Sequence, residues 1–93
     1  MSDTSVKTKP IKRTISGEIL IYNLIIYNDD INSFTWIIKS LIEICKHTPE
    51  QAQQCAMITH NTGKCIVKQD SQCKLNPLLI ALKERNIKCS IDV

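Results

Sequence analysis

Glu18-Ile19-Leu20-Ile21-Tyr22-Asn23-Leu24-Ile25-Ile26-Tyr27 is followed at once by Asn28-Asp29-Asp30. The leading run is rich in Ile, Leu and Tyr, and its length and composition predict a central strand buried on both faces. Two acids and an amide then close the run just before a helical pattern starts at Phe34. Oxygen acceptors at a strand-to-helix junction can cap the helix or hold a cationic ligand. Taken alone they are turn and cap residues. A second polar cluster, His60 with Gly63-Lys64, also falls between two elements and gives the first a counterpart.

Downstream of that junction the periodicity changes. Phe34, Ile37, Ile38, Leu41, Ile42 and Cys45 recur at helical spacing, while Thr35, Lys39, Glu43 and Lys46 form a wet face. Asn32 or Ser33 is placed to cap this helix. His47-Thr48-Pro49-Glu50-Gln51 stops it and begins another, with Thr48 as N-cap, Pro49 in the first turn and Gln51 completing a capping box. Ala52, Cys55, Ala56 and Thr59 make a stripe of small residues that allows close approach to a neighbour. Gly63 ends the connection and Cys65-Ile66-Val67 predicts a short strand. Asn76-Pro77 predicts the start of a third helix, with Leu78, Leu79 and Leu82 facing inward. Ile87, Cys89, Ile91 and Val93 alternate with Lys88, Ser90 and Asp92, as a closing strand should. The order β-α-α-β-α-β predicts an α+β fold, a three-stranded antiparallel sheet packed on one side by three helices.

The chain has 93 residues, enough for one small domain and too few for two. Its apolar share of 43% fills one core, and with only four aromatics that core must be aliphatic. The net charge of +3 is local. Residues 1–17 carry Lys7, Lys9, Lys12 and Arg13 against Asp3, and the remaining residues hold eight basic and eight acidic side chains. Residues 1–17 are therefore expected to form a flexible N-terminal extension, and residues 18–93 the folded domain. A neutral body without a basic, aromatic-lined face excludes a typical nucleic-acid binder. No segment reaches the roughly 18 apolar residues of a membrane span, and the N-terminus lacks the apolar core of a signal peptide. Cys45, Cys55, Cys65, Cys73 and Cys89 are odd in number and contain no C-x-x-C pair, which argues against a disulfide framework and against zinc. No metal or cofactor is expected, and a reducing cytoplasm is the expected setting.

Other chemistry for the acids fails on spacing. A calcium loop begun at Asn28 would need glycine where Ser33 stands and glutamate where Lys39 stands. Adjacent carboxylates can divide acid and base roles, but neighbours in extended chain point apart, and no Ser or Cys nucleophile is partnered with them. No enzyme is expected. His60, at the end of a helix, has an ordinary role near the negative end of the helix dipole, and Lys64 that of a solvated charge.

Together these features resemble the ClpS family, adaptors of the Clp protease. The resemblance is carried by Tyr22-Asn23-Leu24-Ile25-Ile26-Tyr27-Asn28-Asp29-Asp30, by a helix with Phe34 and Ile37-Ile38, and by His60-x-x-Gly63-Lys64 about thirty residues on. It covers residues 18–93. The resemblance implies an adaptor that binds proteins with a bulky apolar N-terminal residue, an N-degron, and passes them to the N-terminal domain of an AAA+ unfoldase. It further implies that Asn28, Asp29 and His60 accept hydrogen bonds from the substrate's α-ammonium group. Asp30 would shape the pocket mouth, and Asn32, Phe34, Ile37, Ala56, Thr59 and Ile87 would line an apolar side-chain pocket. An imidazole accepts from an ammonium only when neutral, so binding is expected to weaken below about pH 6.5.

Three departures accompany the match. The family commonly has Thr-Pro-Met where this chain has Asn32-Ser33-Phe34. It often carries Met near Ala56 and Val at Thr59. Its acidic pattern ending in Lys, thought to dock the unfoldase, reads Gln72-Cys73-Lys74-Leu75-Asn76-Pro77-Leu78 here. The alternative reading is a protein-interaction domain that kept the fold and lost recognition of the amine.

Overall fold

Among the described residues the apolar run has ladder partners on one side from Tyr22 and on both sides from Asn23. The structure, a computed structural model, describes residues 20–93; the expected extension at residues 1–17 lies outside them. Strand β1 spans Tyr22–Tyr27, followed by α1 (Phe34–Cys45), α2 (Pro49–Thr62), β2 (Lys64–Asp70), α3 (Gln72–Glu84) and β3 (Cys89–Asp92). The sheet is antiparallel in the order β2-β1-β3, so the most apolar strand is central. It starts later than the predicted Glu18 because its partners run out. Tyr22 faces Asp70, beyond which β2 gives way to α3, and Asn23 faces Asp92 at the end of β3. Leu20 and Ile21, past that limit, are exposed.

Leu24 and Ile26 point into the core with Leu41, Cys45, Ala52, Val67, Leu75, Leu82 and Ile87. Ile25 is also buried, on the opposite face, where its register partners are Ile66 and Ser90. The core is aliphatic, as the composition requires, and each fully buried Leu or Ile contributes about 1.5–3 kcal/mol. The pairing slips between Leu24 and Ile25, leaving Val67 as an extra residue on β2. The Val67 carbonyl is taken up by His47 Nε2 at 2.7 Å. His47 thus joins the α1–α2 turn to the irregular part of the sheet.

Ser33 caps α1, its Oγ accepting from Trp36 N at 3.1 Å. The capping box at α2 forms as predicted: Gln51 N donates to Thr48 Oγ1 and Thr48 N to Gln51 Oε1. Ala52, Ala56 and Thr59 are buried along one side of α2. The third helix differs from expectation. It begins at Gln72 with Ser71 at the N-cap, and Pro77 lies inside it. Leu75, fully buried, anchors the first turn to the core, and this outweighs the one backbone bond that Pro77 cannot make. The closing strand is also shorter than predicted. Ile87 is buried but precedes the ladder, and Val93 is 81% exposed because β1 offers it no partner.

One polar node had no precursor in the sequence pattern. Arg85, in the turn after α3, donates to Ser40 Oγ at 3.2 Å and pairs with Glu43 at 2.8 Å. Its guanidinium lies 5.3 Å from the centre of the Trp36 ring, and Trp36 Nε1 donates to the Arg85 carbonyl. Ser40 is completely buried in consequence, although it interrupts the apolar stripe of α1.

Candidate functional site

The end of β1 is tied to two distant junctions by its own backbone. Tyr27 N donates to Lys88 O and Asn28 N to Gly63 O, both at 2.9 Å. The second bond brings the acidic turn against the C-terminal end of α2, which carries His60 in its last turn. Gly63 makes this possible. Its φ of 96° is left-handed, and its N–H closes α2 onto Thr59 O. A Cβ there would meet nothing within 4 Å, so conformation and not space demands glycine.

Asp29 organises the turn. Its Oδ1 accepts from Ile31 N and Asn32 N, each at 2.9 Å, and Asn32 Nδ2 lies 3.3 Å from Oδ1 and 3.0 Å from Oδ2. The backbone bond from Asn32 is the main reason that its carboxyl is held below the usual carboxylate range; Ile31 N, the Asn32 amide and the Lys88 charge add to it, against some desolvation. The group is therefore an anion near neutral pH. Asn32 Nδ2 also donates to Asn86 O at 2.8 Å, which locks the turn to the α3–β3 connection.

These links enclose a cavity of about 330 Å³. Ala56 and Thr59, both buried, and half-buried Ile37 give it an apolar floor. Phe34, 41% exposed, stands at one side, and Asn28, Asp29, Asn32 and His60 supply the polar rim. Tyr27 completes the wall, its hydroxyl sharing a 2.7 Å hydrogen bond with Ser90 Oγ. Eight of the ten residues singled out from the sequence thus surround one space. Asp30 is exposed on the same turn but does not line it. Ile87 is buried in the core and lines a separate groove, because the bond from Ile87 N to Leu82 O draws it back towards α3. Tyr27 was missed as a wall residue. Its place as the last residue of the strand, on the face opposite Ile26, is the signal that could have found it.

Among the described residues no group of three His, Cys, Asp or Glu side chains is placed to hold a metal ion. The core thiols are protonated at neutral pH: burial pushes Cys45 up to about 11 and Cys65 up to about 12. They behave as small hydrophobes. No described helix is long and apolar enough to cross a membrane.

Residues 20–86 match the family described as ATP-dependent Clp protease adaptor protein ClpS. The chain belongs to the ClpS family. It is by that membership an adaptor of the Clp protease. Its fold is similar to that of Agrobacterium tumefaciens ClpS2, solved bound to L-phenylalaninamide, with a TM-score of 0.66 over 77% of this chain and 94% of that one. Identity between the two is 15%, so the likeness establishes the shared ClpS fold. No curated protein sequence matches the chain.

Proposed function

We propose that this ClpS-family chain captures proteins with a bulky apolar N-terminal residue and a free α-amino group, and delivers them to the AAA+ unfoldase of the Clp protease. The observation that carries the reading is the cavity: an apolar floor of Ile37, Ala56 and Thr59 beneath a rim of acceptors contributed by Asn28, Asp29 and His60. A terminal residue offers the same two features a few bonds apart, a side chain and a cation. The ligand of the Agrobacterium relative, L-phenylalaninamide, has both.

The free acceptors at the rim support this reading. Asp29 Oδ1 is saturated by the turn, whereas Oδ2 has one partner and keeps a lone pair for an ammonium. Asn28 and His60, both exposed, bring further acceptors to the same rim. A charge-assisted bond of this kind contributes about 1.5–3 kcal/mol, and burying a Leu or Phe side chain a similar amount. Asp30 adds negative charge at the mouth. Phe34 and Ala56 set the shape of the space, a large residue at the edge and a small one at the floor. In this reading residues 18–93 form the recognition domain and residues 1–17 the segment offered to the unfoldase.

The test is a titration of fluorescent peptides beginning with Leu or Phe, free and N-acetylated, against wild type and Asp29→Ala. Acetylation removes the charge and strands the acceptors, so an affinity loss of roughly ten- to hundredfold is expected, and Asp29→Ala should narrow the gap. Equal affinity for free and acetylated peptides would sink the proposal and leave a protein-interaction domain on a ClpS fold.

A further inference from the structure

On the far side of Tyr27 from the cavity lies a wider groove of about 630 Å³. Ile31 contributes most of its apolar surface, above buried Ile87, and Lys83 and Lys88 its charge. Ile31 is 82% exposed, so its side chain is open to a ligand passing the cavity. Three links make the groove continuous with the cavity. Tyr27 lines both. Asn32, on the cavity rim, donates to the carbonyl of Asn86, on the groove wall. The positive charge of Lys88 reaches the Asp29 carboxylate.

A polypeptide seated by its first residue must leave over the rim, and each further residue advances about 3.3 Å. The groove begins one side chain away from the amine acceptors. Two exposed lysines on its wall create a local positive field in a protein body whose charges sum to zero with them included. Asp30 and Glu84, exposed acids adjacent in sequence to Ile31 and Lys83, are not among the groove's lining residues.

We propose that this groove receives the second and third residues of the captured N-terminus and favours acidic side chains there, so that selectivity extends beyond the first residue. The inference rests on the cavity being the seat of the first residue. Lys83 and Lys88 pair with the carboxylates, and Ile31 packs against their aliphatic stems.

The experiment compares Leu-Glu-Glu, Leu-Gln-Gln and Leu-Lys-Lys peptides of otherwise identical sequence, each free and acetylated, against wild type and the Lys83→Glu/Lys88→Glu variant. In wild type the free peptides should rank Glu over Gln over Lys, with about three- to tenfold between the extremes, as partly exposed ion pairs allow. The order should invert in the variant and flatten at about 0.5 M salt. Both lysines are exposed, so the fold should survive the change, and the wild-type series decides the matter even if it does not. Three equal affinities, or a preference for Lys, with acetylation still costly would overturn the groove and leave the cavity reading standing. Equal binding of free and acetylated forms would remove both.

Discussion

Gly63→Ala tests the link between backbone geometry and the site. Gly63 is left-handed at φ 96°, and a methyl group there would meet no atom within 4 Å. Steric clash therefore contributes nothing, and the cost is backbone strain alone. A non-glycine residue held in this region pays about 1–3 kcal/mol. Alanine recovers about 0.4–1 kcal/mol by restricting the unfolded chain. The net expectation is a loss of about 1–2 kcal/mol, or a melting temperature lower by roughly 4–16 °C for a domain of this size. Gly63→Asn should lose less, since Asn tolerates positive φ. The same residue accepts from Asn28 N and donates to Thr59 O. An alanine that escapes strain by rotating would misalign both, so peptide affinity should fall in the protein that remains folded. Urea denaturation of wild type and both variants, with peptide titration well below the transition, measures the two effects separately. Unchanged stability in Gly63→Ala would refute the left-handed assignment. A loss well above about 3 kcal/mol, or Asn no better than Ala, would mean that contacts and not conformation dictate the glycine.

Asp29→Ala should cost about 1–2 kcal/mol, because two backbone N–H groups of the turn lose their acceptor. The Asp29 pKa is depressed by folding, so the charge-dependent share of this stability is complete above the ordinary carboxylate value of about 3.9 and is lost as pH falls through the lower folded value; a wild-type-to-variant gap that widened on acidification would contradict it. Arg85→Ala should lose about 1–2 kcal/mol from the Ser40 bond, the Trp36 stack and the half-exposed Glu43 pair together, whereas Glu43→Gln should lose under about 0.5, as chemical denaturation can show. With a thiol reagent at about pH 8, Cys73 should label rapidly, and buried Cys45, Cys65 and Cys89 only on unfolding. Fast labelling of all five in native protein would show that the core opens.

What could be read from the sequence was local. Ser33, the Thr48–Gln51 box and Gly63 as the cap of α2 act within one turn of themselves, so their residue types announced them. The central position of β1 was legible because a strand covered on both faces must be apolar throughout. The start of α3 was not legible. Asn76-Pro77 is a sound local signal, but Leu75 is claimed by the core and pulls the helix start back to Gln72. Val93 fits the alternation of its strand yet has no partner, since the ladder ends where β1 does. Arg85 and Ser40 meet across 45 positions with no pattern to foretell it. The site lies between these cases. Its residue types stood out, but only a resemblance to a family joined residues 28–30 to His60, and the physical joint is one long-range backbone bond from Asn28 to Gly63.

That joint bears on how recognition and selectivity divide. The rim is held at three junctions: β1 to α1 through Asp29, α2 to β2 through Gly63, and α3 to β3 through Asn32 and the Asn86 carbonyl. A ligand entering such a cavity has little loop to order, so binding forfeits little conformational entropy. The same bonds make the rim hard to change. Moving Asp29 or Gly63 disturbs the fold as well as the acceptors. Phe34 and Ala56 are different, since each borders the cavity through its side chain while its backbone belongs to a regular helix. Substitution there reshapes the space at small cost to the scaffold. On the proposed reading, amine recognition is therefore bound to the architecture, and the choice among apolar side chains rests with residues free to vary. The departures from the family at those two positions, with the acceptors kept, are what this division of labour would produce.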